Sequence, residues 1–319
     1  MLSVIPLLLV FALGLVVLTV GAHGTLHGSV GIARWAGMSQ LAIGLTVVAF
    51  GTSCPELSLD VMAALKGETE LALGDLIGSN IANVGLILGI AAILCPLHVQ
   101  MRLLRAEVPI AISASLLVWG LAFDGQLSRQ DGILMLAAFI LFLGYSYRAA
   151  RQESARAQAE LVEAAPTDVR LGKSTLIMLL GLAGLVLGAQ LMVYSAVKMA
   201  RLWGVSELMV GLTIVAVGTS LPELATAIVA GRRREVDIVF GNVIGSNIFN
   251  LLFILALVAV IADVPAPATA IRVDLPVMIA FVIVLVPLMA RGMCIQRSEG
   301  LLLLAGYVAF VGWQVLTAL

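Results

Sequence analysis

The chain has 319 residues, a formal net charge of −1, 61% hydrophobic residues and only 12% charged ones, with a mean hydropathy of +1.11. Soluble domains carry about 25% charged residues, so this composition excludes water as the main solvent. The near-neutral balance excludes a basic nucleic-acid binder. Three scattered cysteines (Cys54, Cys95, Cys294) offer neither a metal-binding spacing nor a disulfide framework.

Ten apolar segments follow along the chain, at about 2–22, 40–64, 70–95, 103–123, 132–148, 174–200, 207–230, 237–262, 271–290 and 299–318. Each approaches the roughly 20 residues that carry a helix across a bilayer. The short alternating segments of a membrane β-barrel are not seen. The first segment lacks a basic leader and is too long for a signal-peptide core, so it reads as a transmembrane helix. Between the fifth and sixth segments, residues 149–172 form the one long polar stretch, a solvated linker that can be partly helical. With that linker in the cytoplasm, 13 of the 18 lysines and arginines fall on the cytoplasmic side and 5 outside. The positive-inside rule favours this orientation, with both termini outside.

An internal repeat sets the expected architecture. Residues 44–83 align without a gap on residues 211–250, at an offset of 167, with 20 of 40 positions identical. The same offset pairs 14–22 with 181–189 and 104–110 with 271–277. The copies are residues 1–148 and 173–319, each holding five spans. An odd number of spans turns the second copy upside down, the arrangement in which transporters build a site at the bilayer midplane. The fold class is therefore an all-α integral membrane protein with ten transmembrane helices in two inverted five-helix repeats.

The chemistry concentrates in the duplicated core. Gly51-Thr52-Ser53-Cys54-Pro55-Glu56 recurs as Gly218-Thr219-Ser220-Leu221-Pro222-Glu223. A carboxylate inside an apolar segment is costly unless it is paired, hydrated or bound to a cation. Pro55 and Pro222 break each helix just before its glutamate. Freed carbonyls at membrane depth are tolerated only beside a cavity or ligand. Thr52 and Ser53 share a helix face with Glu56. In the next span, Ser79 and Asn83 are four apart, as are Ser246 and Asn250. Gly78 and Gly245 are expected to let these helices approach closely. The set is hard oxygen donors without sulfur or imidazole, which points to calcium or sodium. His23, His27 and His98 lie near span ends and read as interfacial. Asn80 and Asn247 read equally well as helix-to-helix glue or as site residues. Asp75 reads as an interfacial residue at a helix start, in preference to a group near the ion path.

These paired motifs resemble the two α-repeats of the sodium/calcium exchanger family, bacterial and archaeal type, within the calcium/cation antiporter superfamily. The resemblance implies that Thr52, Ser53, Glu56, Ser79 and Asn83 line ion sites with Thr219, Ser220, Glu223, Ser246 and Asn250, joined by the carbonyls of Ala49 and Ala216. It further implies exchange of about three Na+ for one Ca2+, with the first and sixth spans as sliding gates. Asn at position 250, where potassium-dependent members commonly carry Asp, argues against potassium coupling. The expected partners are Ca2+, Na+ and the lipid bilayer of the inner (plasma) membrane, with no cofactor, nucleic acid or obligatory protein partner. The alternative is a calcium/cation–proton antiporter using the same glutamates. An enzyme is not expected, because a duplicated site without histidine lacks an asymmetric nucleophile and base.

Overall fold

The computed structural model describes residues 4–36, 39–160, 171–202, 218 and 220–318. Among them the chain is helical apart from short turns and four two-residue strands. The first half holds α1 (Val4–Ala36), α2 (Gln40–Ile43), α3 (Ala49–Thr52), α4 (Cys54–Leu65), α5 (Thr69–Ala82), α6 (Gly89–Leu94), α7 (Val108–Leu121) and α8 (Arg129–Glu160). The second holds α9 (Leu171–Leu202), α10 (Leu221–Arg232), α11 (Val236–Phe249), α12 (Leu255–Ile261), α13 (Leu275–Ala290) and α14 (Arg297–Ala318). The continuation of α8 to Glu160 makes the start of the expected linker helical.

Among the described residues, eight helical stretches are long and apolar enough to cross a membrane. The pair Gln40–Thr52 and Cys54–Leu65, bent by 48°, makes a ninth if counted as one span. Of the expected segment 207–230, only Gly218 and the part from Ser220 onward are described. Leu141 and Ile140 of α8 are 75% and 68% exposed, as suits side chains that face lipid.

Local sequence explains the breaks. Ser53 sits between α3 and α4 at φ −84°, ψ 9°, and Ser220 before α10 at φ −85°, ψ 4°. Both lie in the sparsely used bridge region. Pro55 and Pro222 then occupy the first turn of a new helix, where a missing N–H leaves no bond unmade. Among the described residues, five π-helical turns interrupt the spans, at Gly44–Val48, Asn83–Leu88, Leu103–Glu107, Asn250–Ile254 and Ala270–Asp274. The turns at 103 and 270 directly precede Pro109 and Pro276 and absorb the lost i→i−4 bond. Those at Asn83 and Asn250 start on expected site residues, a frequent place for π-bulges.

The spans Thr69–Leu94 and Val236–Ile261 form the centre, with 78% of their apolar windows buried, against 11% for the last span. α1 and α9 lie along one another. Glycines make that contact backbone to backbone: a Cβ on Gly21 would fall 2.6 Å from the Leu185 nitrogen, and one on Gly28 2.5 Å from the Met178 nitrogen. Two bridges tie the halves together. β1 (Leu97–His98) pairs antiparallel with β4 (Cys294–Ile295), and β2 (Gln126–Leu127) with β3 (Val264–Pro265).

Candidate ion site

The breaks at Ser53 and Ser220 bring the start of α4 and the start of α10 to the central helices. Glu56 and Glu223 lie in the first turns of α4 and α10, each 1% exposed. They interact electrostatically across the two halves. The Ser53 hydroxyl joins the halves directly, lying 3.3 Å from Glu223 Oε1 and 3.1 Å from Ser246 Oγ. The Thr52 hydroxyl donates to Asn242 Oδ1 at 3.0 Å. Gly245 permits this approach: a Cβ there would fall 2.7 Å from the Leu45 carbonyl oxygen and 2.8 Å from the Ala49 methyl.

Four asparagines form a reciprocal network. The Asn80 amide donates to the Asn247 carbonyl and the Asn247 amide to the Asn80 carbonyl, both at 3.3 Å. Asn83 then donates to Asn247 Oδ1 at 2.9 Å, and Asn250 to Asn80 Oδ1 at 3.1 Å. Each amide nitrogen of Asn83 and Asn250 is thereby committed to the opposite half, which leaves its Oδ1 to face elsewhere. Asn80 and Asn247 thus bond helix to helix and also hold the amides of Asn83 and Asn250.

The oxygens left over define what the site can hold. Glu56 Oε1 and Oε2, Glu223 Oε2, Ser220 Oγ, Asn83 Oδ1 and Asn250 Oδ1 are buried and make no hydrogen bond among the described residues. Buried polar atoms of this kind are normally satisfied, and a carboxylate in particular is costly to leave bare. They come from both halves and are all hard donors of the kind Ca2+ takes six to eight of. Among the described residues, no three His, Cys, Asp or Glu side chains group as a metal site would require. For a cation held there, the two carboxylates would supply the charge and hydroxyl and amide oxygens the remaining contacts.

The structure refines the sequence reading in several places. Thr52, Ser53, Glu56, Ser79, Asn83, Ser220, Glu223, Ser246 and Asn250 are all buried. Thr219 and Ala216 lie outside the described residues, as does most of the stretch before Ser220. The Ala49 carbonyl accepts the Ser53 N–H at 3.0 Å and the Thr52 hydroxyl at 3.4 Å. Gly78, unlike Gly245, has none of the described atoms within 4 Å of where a Cβ would stand. Asp75 is not an interfacial residue at a helix start. It lies in the middle of α5, with Oδ2 buried, and interacts with Glu56. Sequence reasoning misses Asn242, the repeat partner of Asp75, as a contact of Thr52. The alignment of 75 with 242 is the signal that could have found it.

Comparison with known proteins identifies the family and the fold. A model of the sodium/calcium exchanger protein family matches residues 6–148 and 173–316. The chain is 36% identical over 308 residues to the inner membrane protein YrbG of Escherichia coli (strain K12), covering 93% of each. It is 31% identical over 338 residues to the sodium/calcium exchanger MaX1 of Methanosarcina acetivorans, covering 95% of this chain and 97% of that one. Among solved structures, the sodium-calcium exchanger NCX_Mj soaked with zero Na+ and Ca2+ superposes with a TM-score of 0.85 at 32% identity, covering 98% and 99% of the two chains.

Proposed function

This multi-pass membrane chain belongs to the sodium/calcium exchanger family, and from that premise we propose that it carries Ca2+ against Na+ by alternating access at one site shared by the two halves. The observation that carries the proposal is the set of buried, unbonded oxygens around Glu56 and Glu223. Two glutamates hold two negative charges. One Ca2+ neutralises them, two Na+ do the same, and a third Na+ leaves one positive charge over. The empty site leaves both carboxylates bare in an apolar surrounding, which disfavours crossing without cargo. Obligatory exchange needs that penalty. The ligand set is the ten side chains of the duplicated motifs together with the Ala49 and Ala216 carbonyls, and α1 and α9 move as the gate. The cation–proton alternative is not favoured by the family match.

The test is 45Ca2+ uptake by proteoliposomes under an outward Na+ gradient with no pH gradient. Uptake that also changes with a valinomycin-set potential supports exchange of about three Na+ per Ca2+, since that ratio moves one net charge. Uptake driven only by a pH gradient contradicts the proposal. Asn80→Ala or Asn247→Ala should raise half-saturating Ca2+ by about 10- to 100-fold, the usual cost of removing a group that orients a metal ligand. Unchanged Ca2+ dependence would remove the asparagine network from the account.

Ten spans in two inverted halves also belong to this proposal, and the strand pairs support them. β1 and β4 pair, so they lie on one face of the membrane and must be separated by an even number of spans. Five of the described spans intervene, and the ten-span reading supplies the sixth that an even count needs. β2 and β3 lead to the same parity. A cysteine replacing Lys66 should then be labelled by an impermeant thiol reagent from outside. One replacing Arg233 should be labelled only from the cytoplasm, in a background without the native cysteines. Labelling of both from one side would contradict the inversion.

A further inference from the structure

Two carboxylates in the first half take no part in the site described above. Asp60 lies one turn beyond Glu56 on α4, fully buried, and neither of its oxygens makes a hydrogen bond among the described residues. Asp75 lies one turn before Ser79 on α5, with Oδ2 buried and, among the same residues, without a hydrogen bond. The helices α4 and α5 pack against each other through the turn at Gly67. Four-residue spacing keeps Glu56 and Asp60 on one face of α4, and Asp75 and Ser79 on one face of α5. The two aspartates interact electrostatically with one another. Among the described residues, no lysine or arginine is within ion-pair distance of either.

Two further observations point to a ligand. Glu56, buried and without a hydrogen bond on either oxygen among the described residues, interacts with Asp75 and Asp60 as well as with Glu223. It therefore lies within electrostatic reach of the aspartates as well as of Glu223. Second, the repeat dispenses with the acids. It keeps the serine, threonine, glutamate and asparagine pattern but carries Ala227 and Asn242 at the equivalent positions. The matching pair α10 and α11 packs without them, so helix packing does not require Asp60 or Asp75.

We propose that Asp60 and Asp75 form a second station for a hard cation, one helical turn from Glu56 toward the Gly67 turn, present on one side of the exchange site only. The cation class is the transported one, so the inference rests on the exchange reading. Buried acids with no counter-charge among the described residues draw cations to that mouth and shorten the step to Glu56. The opposite mouth, with Ala227 and Asn242, has no such station. The exchanger is thereby made asymmetric in its response to Ca2+, although its central motifs are duplicated.

The test gives the first half the residues of the second: Asp60→Ala and Asp75→Asn, singly and together. Half-saturating Ca2+ is measured for Na+-driven exchange on each face of oriented vesicles, with orientation scored by labelling at position 66. The double variant should raise half-saturating Ca2+ about tenfold on the Lys66 face, within the range of charge-focused capture, and leave the other face unchanged. Equal values to the parent on both faces would overturn the station. An equal loss on both faces would overturn it too, by placing the aspartates in the exchange site or in the fold. Should the double variant not fold, Asp75→Asn alone carries the same two-face test. Independently, equilibrium 45Ca2+ binding in the Glu56→Gln/Glu223→Gln background should retain a weak component that Asp60→Ala/Asp75→Asn removes. No component in that background overturns the station. Absence of Na+-driven uptake in the parent, with this binding component intact, would instead overturn the exchange reading alone.

Discussion

Glu223→Gln is expected to lower Na+-driven Ca2+ uptake at least about 100-fold while the protein remains folded and inserted, and Glu56→Gln to do the same. The substitution keeps the shape of the side chain and its approach to the Ser53 hydroxyl, and removes one of the two charges of the site. Taking away one partner of a buried charge pair costs about 3–5 kcal/mol, and each 1.4 kcal/mol is about tenfold in affinity. Glu70→Gln is the control, since Glu70 is exposed at the start of α5. Uptake at the parental rate by either glutamine variant would remove both glutamates from the central role. A normal rate for Glu70→Gln beside a lost one for Glu223→Gln would tie the effect to the buried site and not to charge in general.

The second large effect is expected at the α1–α9 contact. A Cβ on Gly181 would fall 2.8 Å from the Gly21 carbonyl oxygen and 2.7 Å from the Thr25 hydroxyl. The nearest obstacles are backbone, which cannot swing aside as a flexible side chain can. Gly181→Ala must therefore part the two helices, at about 1–3 kcal/mol for an overpacked contact. A lower melting temperature and slower exchange should appear together, because the same contact is proposed to hold and to gate. Gly172→Ala, with open space around its Cβ position, should change neither. If the two alanine variants melt alike, the helices are not in backbone contact in the membrane.

The duplicated Pro-Glu motif is legible in the sequence because burial of a charge leaves a mark that no fold can hide. The breaks at Ser53 and Ser220 are legible too, since proline removes the donor that would have bridged them. The asparagine network is not. Asn80 bonds to Asn247, 167 residues away, and that register depends on how the two halves interlock, which no local period reveals. The π turns starting at Asn83 and Asn250 escape for a related reason. One extra residue in a turn leaves the apolar pattern of the span almost unaltered. Asp75 is misplaced by the sequence because its distance from the start of the apolar run suggests a helix end, while α5 begins six residues earlier, at Thr69. Gly78 and Gly245 share their sequence context, and only the second meets a neighbour among the described residues.

The central claim is that one site must be loaded before it can change sides. It is tested most directly by the release of 22Na+ from preloaded proteoliposomes. The expected result is rapid efflux when the outside solution holds Ca2+ or Na+, and efflux near that of protein-free vesicles when it holds only choline. The bare carboxylates of Glu56 and Glu223 would then be what blocks the empty return. Equal 22Na+ efflux into choline and into Ca2+ would contradict the account, because a site that crosses empty, or a continuous pore, needs no exchange partner.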